Sequence, residues 1–142
     1  MLEKREFYIN GEWVSPKTPN DHHVIDPSTE EPCAVISLGD QADTDAAVAA
    51  AKAALPGWMA TPPAERIALL EKLLEVYQSR TEDLAKAMSS EMGAPLDLAR
   101  TSQAGAGAYH LSNFIKAAKE FKFEAPLGDH APTDRIIREA VG

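Results

Sequence analysis

The chain has 142 residues, 44% of them hydrophobic and 25% charged, which suits a single domain large enough to bury a core. Acidic residues outnumber basic ones by 22 to 14, a formal net charge of -8, so nucleic acid and anionic membranes are poor partners. A single cysteine, Cys33, rules out an internal disulfide.

The N-terminal MLEKREFYIN has no apolar h-region, so it is not a secretory signal. No run is apolar enough to span a bilayer, and the expected location is cytoplasmic. FYINGEWV (7–14) is a hairpin signal, because Asn10-Gly11 suits a type I′ turn in which both central residues need φ > 0. A two-residue turn there pairs Ile9 with Glu12, Tyr8 with Trp13, and Phe7 with Val14. HHVID (22–26) and CAVIS (33–37) read as short strands around the turn cluster DPSTEEP, with Pro27 and Pro32 at its sides.

Helical period begins near residue 40. Asp40 or Asp43 is the expected N-cap of an Ala-rich helix that Pro56-Gly57 should end. Pro62 and Pro63 suit the first turn of a second helix. Its apolar positions, Ile67, Leu70, Leu74 and Tyr77 with Leu69, Leu73 and Val76, form a wide stripe. Thr81 is the expected cap of a third helix that carries Leu84, Met88 and Met92 and ends at Gly93 and Pro95. A fourth is expected from about Leu96 to Glu120, with Leu111, Phe114, Ile115 and Ala118 on one face. Its middle, QAGAGAYH (103–110), points either to close helix packing or to a groove floor with room for a ligand. After a Pro/Gly-punctuated connection, RIIREAVG (135–142) alternates like a half-buried strand, with Ile136, Arg138 and Ala140 on one face and Ile137, Glu139 and Val141 on the other.

Signals for chemistry are sparse. GAG at 105–107 lacks the third glycine of a dinucleotide loop and follows no strand. His22 and His23 are adjacent in a strand, so they point to opposite faces and do not share a metal. Cys33 has no base beside it and reads as a small hydrophobe. Glu82 and Lys86 are spaced as a helical ion pair. Glu91 sits in the last turn of a helix, where the dipole disfavours an anion, so it is either a plain exposed Glu or the neighbour of a cation or basic partner.

Taken together, FYINGEWV, VIDPSTEEPCAVISLGD, the Ala-rich helix ending in PGW, the helices PAERIALLEKLLEVYQSR and TEDLAKAMSSEMGAP, and RIIREAVG resemble the start of the aldehyde dehydrogenase superfamily, NAD(P)-dependent branch. Asp26, Glu30, Ala94 and Ala140 stand where that family commonly has Asn, Gly, Lys and Pro. The resemblance implies an α+β fragment of the family's α/β fold: about four helices plus short antiparallel strands and hairpins, without the main parallel Rossmann sheet. Residues 1–121 would belong to the cofactor-binding domain, and 122–142 would begin the oligomerisation arm.

In the family the strand like RIIREAVG leads into a T-P-W-N segment, and the cofactor turn, the general-base Glu and the nucleophilic Cys come later. The chain is therefore expected to hold no catalytic and no cofactor-binding residue and to be inactive by itself. The intact enzyme would oxidise a small aldehyde to a carboxylic acid with NAD or NADP, through a Cys thiohemiacetal and thioester, as a homodimer or homotetramer. Half of a split enzyme, or a non-enzymatic binding module reusing the scaffold, are the alternatives. The resemblance also implies a Na⁺ or K⁺ site on the backbone carbonyls of Val24 and Ile25 with Glu91, and a substrate-channel mouth at Ser102 and Ala106. Apolar helix faces left without their sheet imply self-association or low stability.

Overall fold

The computed structural model describes residues 1–139 and 141. Five strands come first: β1 (Leu2–Lys4), β2 (Phe7–Ile9), β3 (Glu12–Val14), β4 (Asp21–Asp26) and β5 (Glu31–Ser37). Helices α1 (Gln41–Ala60), α2 (Pro63–Ser79) and α3 (Thr81–Met92) follow. The fourth helix, α4, opens as the turn Leu96–Leu98, passes through a π-helical turn at Ala99–Gln103, and continues as Ala104–Glu120. A final hairpin joins β6 (Glu124–Pro126) to β7 (Arg135–Ile137).

The β2–β3 hairpin has the register its turn dictates: Phe7 opposite Val14, Tyr8 opposite Trp13, Ile9 opposite Glu12. Asn10 (φ 55°) and Gly11 (φ 83°) supply the two positive φ angles of a type I′ turn. The Tyr8 and Trp13 rings lie 5.3 Å apart. In the second sheet β5 is central, antiparallel to β4 and parallel to β1. Beside the expected antiparallel pairs there is one parallel pair, β1 with β5. β1 is three residues long and exposed, too short to show a period of two, and it is held through register with Ala34 to Ile36. β5 supplies the most buried large side chain, Val35, at 2% exposure.

The 40s cap is reciprocal. The Asp40 carboxylate accepts from the N–H groups of Ala42 and Asp43, and the Asp43 carboxylate accepts from the N–H groups of Asp40 and Lys17. The expected stop at Pro56-Gly57 is overturned, because α1 runs through Pro56 to Ala60. Proline there removes one backbone donor but leaves the helical φ allowed. The Ala-rich flank sustains the helix, and the true stop is Thr61, which precedes two prolines. Thr61 closes the last turn with its N–H on the Trp58 carbonyl and its hydroxyl on that of Gly57.

Thr81 is likewise not a cap. It is the first residue of α3, and its hydroxyl donates back to the Gln78 carbonyl at the end of α2. Gly93 ends α3 in the left-handed region (φ 68°), as expected. The wide stripe of α2 splits. Ile67, Leu70, Leu74 and Tyr77 are half-buried, whereas Leu69, Leu73 and Val76 are exposed. The first set faces α4, with which α2 packs. On α4, Leu111, Ile115 and Ala118 turn inward, but Phe114 is 71% exposed, against the expected shared face. The terminal strand is shorter than expected. β7 stops at Ile137, Arg138 and Glu139 are irregular, and Val141 is exposed. Ala140 and Gly142 lie outside the described residues. Among the described residues the largest sheet has three strands, so the architecture is α+β with four helices and small sheets.

Candidate functional site

The β4–β5 turn and the end of α3 meet. Asp26 makes an Asx turn, accepting from the N–H and hydroxyl of Ser28, while its carbonyl accepts from the N–H groups of Thr29 and Glu30. Ser28 thereby holds the Asp26 carboxyl below the usual carboxylate range. Glu30 adopts φ 60°, the left-handed geometry that glycine reaches without strain. Across from this turn, a Cβ on Gly93 would come within 2.9 Å of Pro27 Cγ, so only glycine fits both the cap and the approach. The ladder slips between Val24 and Ile25, opposite which β5 carries the extra residue, Cys33. Val24 is half-buried and its carbonyl accepts from the Cys33 thiol at 3.4 Å, while Ile25 and Glu91 are exposed. α3 packs on β4. Cys33 is thus a half-buried side chain with a backbone acceptor, and His22 and His23 are exposed. Among the described residues no three His, Cys, Asp or Glu side chains cluster as metal ligands.

The second region is the π turn of α4. The N–H of Ala104 bonds to the carbonyl of Ala99, the i−5 bond of a π-helix, and both alanines are fully buried. Arg100 clamps the turn from outside: Nε and Nη2 reach the two Glu82 oxygens at 2.8 and 3.0 Å, and Nη1 reaches Asp97 at 2.9 Å. Arg100 holds the Glu82 carboxyl below its ordinary range. The expected Glu82–Lys86 pair exists at 3.8 Å but is the weaker of Glu82's two. Inside, the Tyr77 hydroxyl donates to the Ala104 carbonyl at 2.9 Å, and a Cβ on Gly107 would overlap that hydroxyl. Gly107 therefore serves close helix packing, one of the two readings of QAGAGAYH. Ser102 and Ala106 are exposed, four positions apart, on one side of α4. Gln103 Oε1, beside them in sequence, is buried with no hydrogen-bond partner among the described residues.

Arg100, Tyr77 and the π turn were not foreseen. No signal within α4 marks the turn: Ala99 and Ala104, five apart, are seen to share its buried side only in the structure. The arrangement can position and cap, but among the described residues it pairs no nucleophile with a base.

The aldehyde dehydrogenase family model matches residues 13–142. The chain belongs to this family. The whole chain is 41% identical to the 3-succinoylsemialdehyde-pyridine dehydrogenase of a Pseudomonas species and 37% identical to a putative aldehyde dehydrogenase of Staphylococcus aureus. In both cases it spans 29% of the relative's length. Among solved structures it is similar to an aldehyde dehydrogenase from Bartonella henselae, with a TM-score of 0.89, 55% identity, and coverage of 91% of this chain and 27% of that one. A C291A mutant of aldehyde dehydrogenase C from Pseudomonas syringae, solved with NAD⁺ and octanal, matches at TM-score 0.85 and 38% identity over 87% of this chain and 26% of its own. The fold is therefore that of a part of an aldehyde dehydrogenase.

Proposed function

We propose that the chain is the N-terminal portion of an NAD(P)-dependent aldehyde dehydrogenase and serves as scaffold, with no turnover of its own. The observation that carries this reading is the family match over 13–142 in a chain spanning 29% of its curated relatives. Whole relatives crystallise with NAD⁺, but the residues here do not fit a dinucleotide. Where β5 leads into α1, the helix amides that could receive a pyrophosphate are already occupied by the Asp40 carboxylate, and Asp43 lies beside it. Two carboxylates at that N-terminus repel a phosphate, and no Gly-rich loop precedes it. Oxidation of a small aldehyde would thus depend on residues outside this chain.

Within the assembled enzyme, residues 1–121 would belong to the cofactor-binding domain and 122–142 would open the oligomerisation arm of a homodimer or homotetramer. A Na⁺ or K⁺ site on the carbonyls of Val24 and Ile25 with Glu91 would suit a hard cation, which favours oxygen ligands, and would offset the misplaced anion at the end of α3. Exposed Ser102 and Ala106 support a roomy channel mouth. The coding DNA past Gly142 tests the reading. An open frame encoding a T-P-W-N segment and a nucleophilic Cys supports it, and a frame that continues into an unrelated domain overturns it.

A further inference from the structure

Away from both regions, cationic and aromatic side chains converge between α2 and the β6–β7 hairpin. Arg66 Cζ lies 5.5 Å from the Phe123 ring centre, and Arg138 Cζ lies 5.4 Å from that of Phe121. The two rings meet edge to face, 5.0 Å apart at 76°. With Met59 and Glu139 these four side chains line a cavity of about 420 Å³. The hairpin fixes their places: the Arg138 N–H donates to the Phe123 carbonyl and its Nη1 to that of Lys122, both at 3.0 Å.

Arg66 is half-buried, and among the described residues its guanidinium has neither a hydrogen-bond acceptor nor an ion-pair partner. Its guanidinium nitrogens are not buried, so beside the Phe123 ring its N–H donors stand open to an incoming acceptor. In a chain of net charge -8, two guanidiniums on one cavity reverse the local sign. Phe121 is 51% exposed, so an apolar surface lies open beside them.

We propose that this cavity binds a small carboxylate carried on an apolar body. The carboxylate takes the fork of Arg66, with Arg138 adding charge, and the apolar body covers Phe121 and Met59. Glu139 lines the same cavity and forms no ion pair with either arginine among the described residues, so it opposes the ligand and limits affinity. Inorganic anions have no apolar part to cover Phe121 and Met59, so they lack that share of the binding.

Calorimetric titration of the 142-residue chain with sodium benzoate, at fixed ionic strength, tests this. Benzoate should bind saturably at one site, while inorganic phosphate and neutral benzyl alcohol should not. Arg66→Gln should weaken benzoate by about tenfold or more. Glu139→Gln should tighten it by about threefold. No saturable benzoate binding, equal binding of benzyl alcohol, or an affinity unmoved by Arg66→Gln overturns the proposal. If circular dichroism shows that Arg66→Gln unfolds, Glu139→Gln decides alone, and an unchanged or weakened affinity there overturns it.

Discussion

Asp40 links two parts of the molecule. Its carboxylate caps α1, and it accepts the Thr18 hydroxyl at 2.9 Å, tying down the loop after β3. The Asp43 N–H, then the Thr18 hydroxyl, hold its carboxyl below the usual range. Asp26 is lowered by Ser28 and Glu82 by Arg100. In each case the folded pKa lies below the unfolded one, so folding favours the ionised form. That support is fully present above the unfolded carboxylate range, about pH 4, and is lost as pH falls through the lowered folded values. The urea midpoint should therefore stay level from pH 7 to about 5 and fall below about 4, with a shallower fall in Asp40→Asn. A midpoint that rises on acidification would contradict this. Glu30 gives the second prediction. A Glu at φ 60° carries a left-handed penalty, so Glu30→Gly should stabilise by about 1 kcal/mol, read as a higher urea midpoint. The substituted position was legible in the sequence, but that the turn keeps its geometry despite the side chain was not. Asp26 holds the turn through Ser28 and the backbone N–H groups of Thr29 and Glu30, bonds that do not use the side chain of residue 30.

At the scale of elements, local chemistry predicts best where the local signal has no competitor. Asn10-Gly11 permits one turn and hence one register, and Tyr8 faces Trp13 as the spacing requires. Pro56-Gly57 misleads because a stop signal competes with an Ala-rich helix, and the helix persists for four more residues. Pro56→Ala restores a backbone donor and removes a steric clash. It should stabilise α1 by about 1–3 kcal/mol, measured as a rise in midpoint with an unchanged m-value. An unchanged midpoint would mean that this turn is frayed. The π turn was illegible for a different reason. Its cause lies in tertiary partners, Glu82 on α3 and Tyr77 on α2, that no window of α4 contains. Beside the candidate cation residues, the slip in the ladder that leaves Cys33 unpaired arises from pairing between β4 and β5, also invisible in either strand alone.

Across the whole molecule the buried set is thin. Val35, Ile115 and a few alanines are fully covered, while Leu69, Leu73, Val76, Tyr109 and Phe114 stand open on α2 and α4. Isolated exposed apolar residues are ordinary, but a row of them along one helix asks for cover. The 142-residue chain should therefore self-associate, with a sedimentation coefficient that rises with concentration. Leu69→Glu with Leu73→Glu should reduce that rise. A single monomeric species with a cooperative melt would count against the scaffold reading.

The measurement that bears most directly on that reading is aldehyde-dependent formation of NADH, followed by absorbance, with the 142-residue chain beside a chain extended past Gly142 to the length of its relatives. The account predicts no rise from the short chain and a clear rise from the extended one. A rise from the short chain would contradict it, because Cys33 is the only thiol there to attack an aldehyde, and it is half-buried against the Val24 carbonyl with no base beside it.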